Sequence, residues 1–213
     1  MSEPMPNLLD ARHALSRVSD DLAQRFTEFF SPETVAGVVD ESYRLLAGTA
    51  RIRTHLVPLS AQFARDRLES LARSEGLLKD HRPQVLFVCV QNAGRSQMAA
   101  ALLALKSGGQ VDVRSAGSAP ADDVHPTVLA VMDEAGLDMS QAFPKPLTDE
   151  TVRAADVVVT MGCGDACPVY PGKRYLNWDL TDPAGTDVDG VRQLRAEIDR
   201  HVTELLRTLE TDS

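Results

Sequence analysis

The sequence predicts an α/β fold, a four-stranded parallel sheet with helices on both faces, preceded by an all-α three-helix domain. Three observations lead there. Apolar residues recur at helical spacing through residues 1–82, whereas short continuous apolar runs alternate with helical stripes through residues 83–213. Charge divides at the same place: of the net −9, residues 1–82 carry −1 and residues 83–213 carry −8. The stretch between, Lys79 to Pro83, is polar and ends in proline, as a linker does. The expected domains are therefore residues 1–82 and 83–213.

In chain order, Leu15, Val18, Leu22, Phe26 and Phe29 mark the first helix. Ser31, Pro32 and Glu33 supply an N-cap, a proline for the first helical position and an acid in the first turn of the second. Its stripe is Val35, Val38, Val39, Ser42, Leu45 and Leu46, stopping near Gly48. Pro58 is expected to open the third helix, with Leu59, Phe63, Leu68 and Leu71 inward and Gly76 at its end. Each stripe is one-sided, so the helices must pack on one another or on another surface. Residues 85–90 (Val-Leu-Phe-Val-Cys-Val) form a run buried on both faces, the pattern of a central parallel strand. Residues 111–115, 156–161 and 175–180 read as three further strands. Helices are expected at about 96–105, 126–135 and 149–154. A last helix carries Val191, Leu194, Ile198, Leu205 and Leu209.

Composition excludes several classes. With 43% hydrophobic and 25% charged residues the chain is neither mainly disordered nor fibrous. No apolar run reaches the ~18 residues that cross a bilayer. The acidic balance argues against nucleic acid and membrane partners. The near-neutral helical part also lacks the basic footprint of a helix-turn-helix. Residues 1–6 have neither a basic region nor an apolar core of a secretory signal, so a cytoplasmic location is expected. Three cysteines cannot close a disulfide framework.

The most informative segment is residues 89–96, Cys-Val-Gln-Asn-Ala-Gly-Arg-Ser, which leaves a buried strand and enters a helix. In such sheets ligands bind beyond the carboxyl ends of the strands. The main-chain N–H groups of Val90, Gln91, Asn92, Ala93, Gly94, Arg95 and Ser96 form a ready anion cradle at a helix start. Ala93 and Gly94 let the backbone approach closely, and Arg95 adds a planar fork for a tetrahedral oxyanion. The same field favours a thiolate at Cys89, to which Ser96 can donate its hydroxyl proton.

These residues resemble the low-molecular-weight phosphatase family, whose mark is Cys-x5-Arg-Ser at the end of the first strand. Residues 85–98 are similar to its arsenate reductase branch. The likeness continues through residues 115–120, 124–126, 144–150 and 159–161, and through Asp182 and Pro183. The helical extension resembles one found on some actinobacterial-type members. The resemblance implies a low-molecular-weight phosphatase-like catalytic domain with Cys89 as nucleophile, Arg95 as oxyanion clamp and Asp182 as general acid.

Two more cysteines bear on the chemistry. Cys163 and Cys167 follow the 156–161 strand, so they leave the same sheet edge as Cys89, and Gly162 and Gly164 make that loop pliable. A zinc site would need four ligands, and no neighbouring His or Cys completes the set, so no metal is expected. The resemblance implies a relay. Cys89 attacks arsenate and Asp182 protonates the departing oxygen. Cys163 then takes Cys89 into a disulfide with release of arsenite, and Cys167 moves the disulfide to Cys163–Cys167 for reduction by thioredoxin. No cofactor is implied. Ala184 and Gly185 follow the Asp-Pro, where tyrosine phosphatases of the family place aromatic residues, and that suits a small inorganic oxyanion. Two features depart from the branch. The gap between the redox cysteines is short, which keeps a low-molecular-weight thiol open as reductant. Ala100 stands where many members carry a glutamate linked to a cation site near Asn92 and Ser115, so bound potassium is not expected.

The reading is a cytoplasmic arsenate reductase serving detoxification and arsenical resistance, with a homodimer expected through the N-terminal helices. The alternatives are a low-molecular-weight protein tyrosine phosphatase with incidental cysteines, and a non-catalytic oxyanion- or redox-sensing module. His125 reads as a helix-start residue and Trp178 as core.

Overall fold

Ser31 sets the first clear boundary. Its Oγ accepts the Thr34 N–H at 3.3 Å, which caps the helix that Pro32 opens. A computed structural model describes residues 8–49, 55–78, 82–162 and 167–211. They fall into two units, residues 1–79 and 80–213.

The first unit contains α1 (Leu8–Arg25), α2 (Pro32–Thr49) and α3 (Leu56–Ser74). Leu15, Leu22, Phe26, Val35, Val39, Ala64 and Leu68 make one buried cluster. Two sequence expectations need correction. Helix α3 begins at Leu56, so Pro58 lies inside the first turn, where a proline has no intrahelical N–H bond to lose. Its inner face runs through Leu56, Ser60, Phe63, Ala64, Arg67 and Leu68, with Leu59 and Leu71 only half-buried. Small Ser60 and Ala64 occupy that stripe, and Arg67 can join it because the guanidinium is neutralised. Its Nη2 donates to Glu41 Oε2 at 2.7 Å and its Nη1 to Ser42 Oγ at 3.3 Å. Gly76, at φ 70°, ends the helix with the Leu77 N–H bonded to the Ala72 carbonyl at 2.9 Å.

The second unit is built on β1 (Gln84–Cys89), β2 (Asp112–Gly117), β3 (Val157–Met161) and β4 (Arg174–Asn177), ordered β2-β1-β3-β4 and parallel throughout. The four-stranded parallel sheet is the expected one. All six residues of β1 are buried, as a central strand requires. Its alternation assigns the two layers. Val85, Phe87 and Cys89 join the large core with α4 (Arg95–Ser107), α5 (Pro126–Asp133) and α7 (Val188–Thr211), whereas Leu86 and Val88 meet Val152 and Ala155 at α6 (Asp149–Ala154). Strand β4 is shorter than its apolar run. After Asn177 the Trp178 N–H still donates to the Thr160 carbonyl at 2.9 Å, and Trp178 and Leu180 then turn inward on either side of an exposed Asp179. Trp178 is buried between Phe87 and a stacked His201, and Leu180 joins the same core.

Chain order reverses at β1, which has β2 on one side and β3 on the other. The crevice beyond its carboxyl end is therefore the switch point where open α/β sheets bind ligands. Among the described residues no helix is long and apolar enough to cross a membrane.

Candidate active site

The loop between β1 and α4 is turned so that its carbonyls face outward. Those of Cys89, Val90, Gln91 and Ala93 accept the N–H groups of Ser118, Ala119, Ala121 and His125 at 2.8–3.2 Å. In a trans peptide the C=O and the following N–H point opposite ways. The N–H groups of Val90, Gln91, Asn92 and Gly94 therefore point to the other side, and that of Asn92 meets Cys89 Sγ at 3.2 Å. The 118–125 segment thus holds the loop's acceptors from behind and leaves these N–H groups turned away from it.

Close packing keeps the loop in place. Asn92 takes a left-handed φ of 49°, which asparagine tolerates. A Cβ on Gly117 would lie 2.7 Å from the Val90 carbonyl oxygen and 2.9 Å from Asn92 N, so the end of β2 must be glycine for this loop to sit beside it. A Cβ on Gly94 would lie 2.5 Å from Pro183 Cγ.

Around the sulfur, Ser96 Oγ lies 3.0 Å from Cys89 Sγ. Asn92 Nδ2 donates to that hydroxyl at 2.8 Å. Asn92 Oδ1 accepts the Lys145 N–H at 2.8 Å and the Gln97 side-chain amide at 3.0 Å. Cys89 is a buried free thiol.

Arg95 opens α4 and is buried. Its Nη2 donates to Asp182 Oδ2 at 2.6 Å and its Nη1 to the Leu180 carbonyl at 3.2 Å. Asp182 is half-exposed, and its Oδ1 accepts the Ala184 N–H at 3.0 Å. Gly162, at φ 77°, ends the β3 side of the crevice. A Cβ there would stand 3.2 Å from Arg95 Nη1. Cys89, Asn92, Ser96, Arg95 and Asp182 are thus gathered at one strand end. His125 immediately precedes α5 and makes no side-chain cap bond.

The remaining cysteines stand differently. Cys163 lies outside the described residues. Cys167 is buried in the layer of Leu86, Val88 and Ala155, on the opposite face of the sheet from the cluster that holds Cys89. Two tyrosines border it. Tyr175 accepts the Tyr170 N–H at 2.8 Å on its phenol oxygen and donates to the Pro168 carbonyl at 3.2 Å. The Tyr170 hydroxyl bonds Asp149. Burial, and secondarily the charge of Cys167, raise the Tyr175 phenol above its ordinary range.

Sequence reasoning passed over Gln97, Gly117 and the two tyrosines. Gly117 had no local signal, since the register that sets it opposite Cys89 is a long-range pairing. The tyrosines had none, because their role depends on which layer receives Cys167. Among the described residues no group of three or more His, Cys, Asp or Glu side chains is placed to hold a metal.

Residues 84–213 match the family described as low molecular weight phosphotyrosine protein phosphatase, and residues 15–72 match the protein-tyrosine-phosphatase-like N-terminal domain. A putative arsenate reductase from Halobacterium salinarum is 35% identical over 131 residues, 59% of this chain and 92% of that protein. The structure of a thioredoxin-dependent arsenate reductase from Corynebacterium glutamicum is 48% identical, covers 94% of this chain and 98% of its own, and superposes with a TM-score of 0.85. An arginine phosphatase from Geobacillus stearothermophilus is 27% identical, covers 61% of this chain and 94% of its own, and gives a TM-score of 0.54. The chain belongs to the low molecular weight phosphotyrosine protein phosphatase family.

Proposed function

We propose that this family member is an arsenate reductase whose electrons come from its own thiols and are restored by thioredoxin. The observation that carries the reading is the near-full-length likeness to the Corynebacterium glutamicum thioredoxin-dependent enzyme, at 48% identity. Cys163 and Cys167, and the small Ala184 and Gly185 after the Asp-Pro, support it.

The chemistry proceeds in balanced steps. The Cys89 thiolate attacks arsenic(V) while the loop N–H groups and Arg95 hold the oxyanion. Asp182, protonated and turned from Arg95 to the bound oxyanion, gives its proton to the hydroxyl oxygen of hydrogen arsenate, which leaves as water as the sulfur–arsenic bond forms. The Cys163 thiolate attacks Cys89 Sγ. The sulfur–arsenic bond breaks and its electron pair stays with arsenic, so arsenite(III) departs and a Cys89–Cys163 disulfide remains. Attack by Cys167 on Cys163 frees Cys89 and leaves Cys163–Cys167, which an external dithiol reduces. Gly162 borders Arg95 and directly precedes Cys163 in sequence, which supports the first exchange. The second brings Cys167 to Cys163, and disulfide formation needs Cα atoms within ~4.4–6.8 Å.

Arsenate-dependent NADPH oxidation with thioredoxin and thioredoxin reductase tests this. Turnover in the wild type and its loss in Cys89→Ser, Cys163→Ser and Cys167→Ser is expected, and turnover that survives Cys167→Ser contradicts the relay. The likeness to an arginine phosphatase supports a second reading, hydrolysis with Cys89, Arg95 and Asp182 alone. Aryl-phosphate hydrolysis in the Cys163→Ser, Cys167→Ser double variant, with no arsenite formed by the wild type, selects it. The three helices are proposed to mediate homodimerisation, which light scattering on the full chain measures directly.

A further inference from the structure

Gln97, in the first turn of α4, is buried, and its amide nitrogen contacts three acceptors. They are the Phe143 carbonyl at 2.8 Å, Asn92 Oδ1 at 3.0 Å and the Asn92 carbonyl at 3.1 Å. Two of the three are main-chain carbonyls, which only accept, so the side-chain nitrogen must face them. Asn92 is fixed by the same logic. Its Oδ1 meets the Lys145 N–H, a donor that cannot reverse, and so its nitrogen is turned to Ser96 Oγ. The Ser96 hydroxyl accepts there, which leaves its own proton for Cys89 Sγ, 3.0 Å away.

A directional chain therefore runs from the 143–145 segment through Gln97 and Asn92 to Ser96 and the nucleophile. The 143–145 segment is itself tied to the sheet, since the Gly117 N–H donates to the Lys145 carbonyl at 2.8 Å. We propose that Gln97 is a positioning residue for the Cys89 nucleophile: it anchors Asn92 so that the Ser96 proton is delivered to the sulfur. It does not touch the sulfur and meets the loop through Asn92, so its influence is routed through Asn92 and Ser96. The proposal rests on the reading of Cys89 as nucleophile, and its test needs no arsenate.

The test is the rate of Cys89 alkylation by iodoacetamide at pH 7, followed by mass spectrometry of the peptide that carries it. The full-length chain is compared as wild type, Gln97→Met, Gln97→Glu, Ser96→Ala and Ser96→Ala with Gln97→Met. Met keeps the length and loses the donors. Glu keeps the shape but turns an acceptor toward the carbonyls. Alkylation is expected to slow about five- to tenfold in Gln97→Met and at least as much in Gln97→Glu. In the Ser96→Ala background the Gln97→Met change should have no further effect, because coupled residues do not add. In steady-state reduction, kcat should fall by a similar factor with KM for arsenate held within about twofold. An unchanged rate in either variant overturns the proposal, as does an equal slowing with and without the Ser96 hydroxyl. Failure of both variants to fold also overturns it, since Gln97 would then be a packing residue. A chain that alkylates as expected but forms no arsenite leaves this proposal standing and defeats the reductase reading.

Discussion

Strands β1 and β3 lie side by side and end at the same edge of the sheet, yet they treat their cysteines in opposite ways. After β1, hydrogen bonds to the 118–125 segment, to Lys145 and to Gln97 hold the loop from several directions, and Cys89 is fixed at the crevice. After β3, Cys167 is packed among apolar side chains in the other layer, with Tyr175 beside it accepting the Tyr170 N–H and donating to the Pro168 carbonyl. A nucleophile benefits from being held still, because preorganised donors need not rearrange during reaction. In the proposed relay Cys167 exchanges with Cys163 and not with Cys89, and it lies in the other layer from Cys89. Under the proposed reading, chemistry at arsenic belongs to the hydrogen-bonded loop, and the second exchange belongs to a thiol packed in the other layer.

The largest expected effect breaks the first half of the contrast. Cys89→Ser should lower arsenite formation by about three orders of magnitude or more, whereas Cys167→Ser should still release one equivalent of arsenite per chain in a rapid-quench experiment without reductant. Equal loss in both would erase the distinction between nucleophile and relay. Gly117→Ala comes next. Its Cβ would press on the Val90 carbonyl and Asn92 N, and overpacking of this kind costs about 1–3 kcal/mol. A lowered melting temperature with at least a tenfold loss of kcat is expected, and a fall in stability alone would show that the loop can shift without consequence.

Tyr175→Phe sharpens the second half. It removes the hydrogen bonds to Tyr170 and Pro168, and at about 1 kcal/mol for a hydrogen bond alkylation of Cys167 should quicken about fivefold while that of Cys89 is unchanged. In the intact protein the Tyr175 phenol titrates above its ordinary range, and Cys167→Ser should bring it part of the way back, read by ultraviolet difference absorbance. The smallest effect lies in the helical unit. The hydrogen bond and charge of Arg67 lower the Glu41 carboxyl below its usual range. A depressed carboxyl stabilises above its unfolded value and loses that contribution as pH falls through the folded one. Because Glu41 is half-exposed, under about 1 kcal/mol is expected. Thermal melts should lose stability below about pH 4, and less steeply in Glu41→Gln.

The order of elements, the parallel sheet and the loop at residues 89–96 were all legible in the sequence, because each rests on local pattern: period, turn residues and fixed motif spacing. What escaped depends on long-range pairing. Arg67 was not expected in a buried stripe, since its counter-charge sits on another helix. Strand β4 stops early because the chain turns Trp178 and Leu180 into the core. Gln97 reads as an ordinary helix residue until Phe143 is known to lie beside it. The layer that receives Cys167 follows from the path of a loop, which no periodicity encodes.

The most direct test of the thiol relay is disulfide mapping by mass spectrometry after one turnover with arsenate and no reductant. The wild type should hold Cys163–Cys167 and the Cys167→Ser variant should hold Cys89–Cys163, each with one equivalent of arsenite released. Arsenite released with all three thiols still reduced, or a Cys89–Cys167 bond in the wild type, would contradict it.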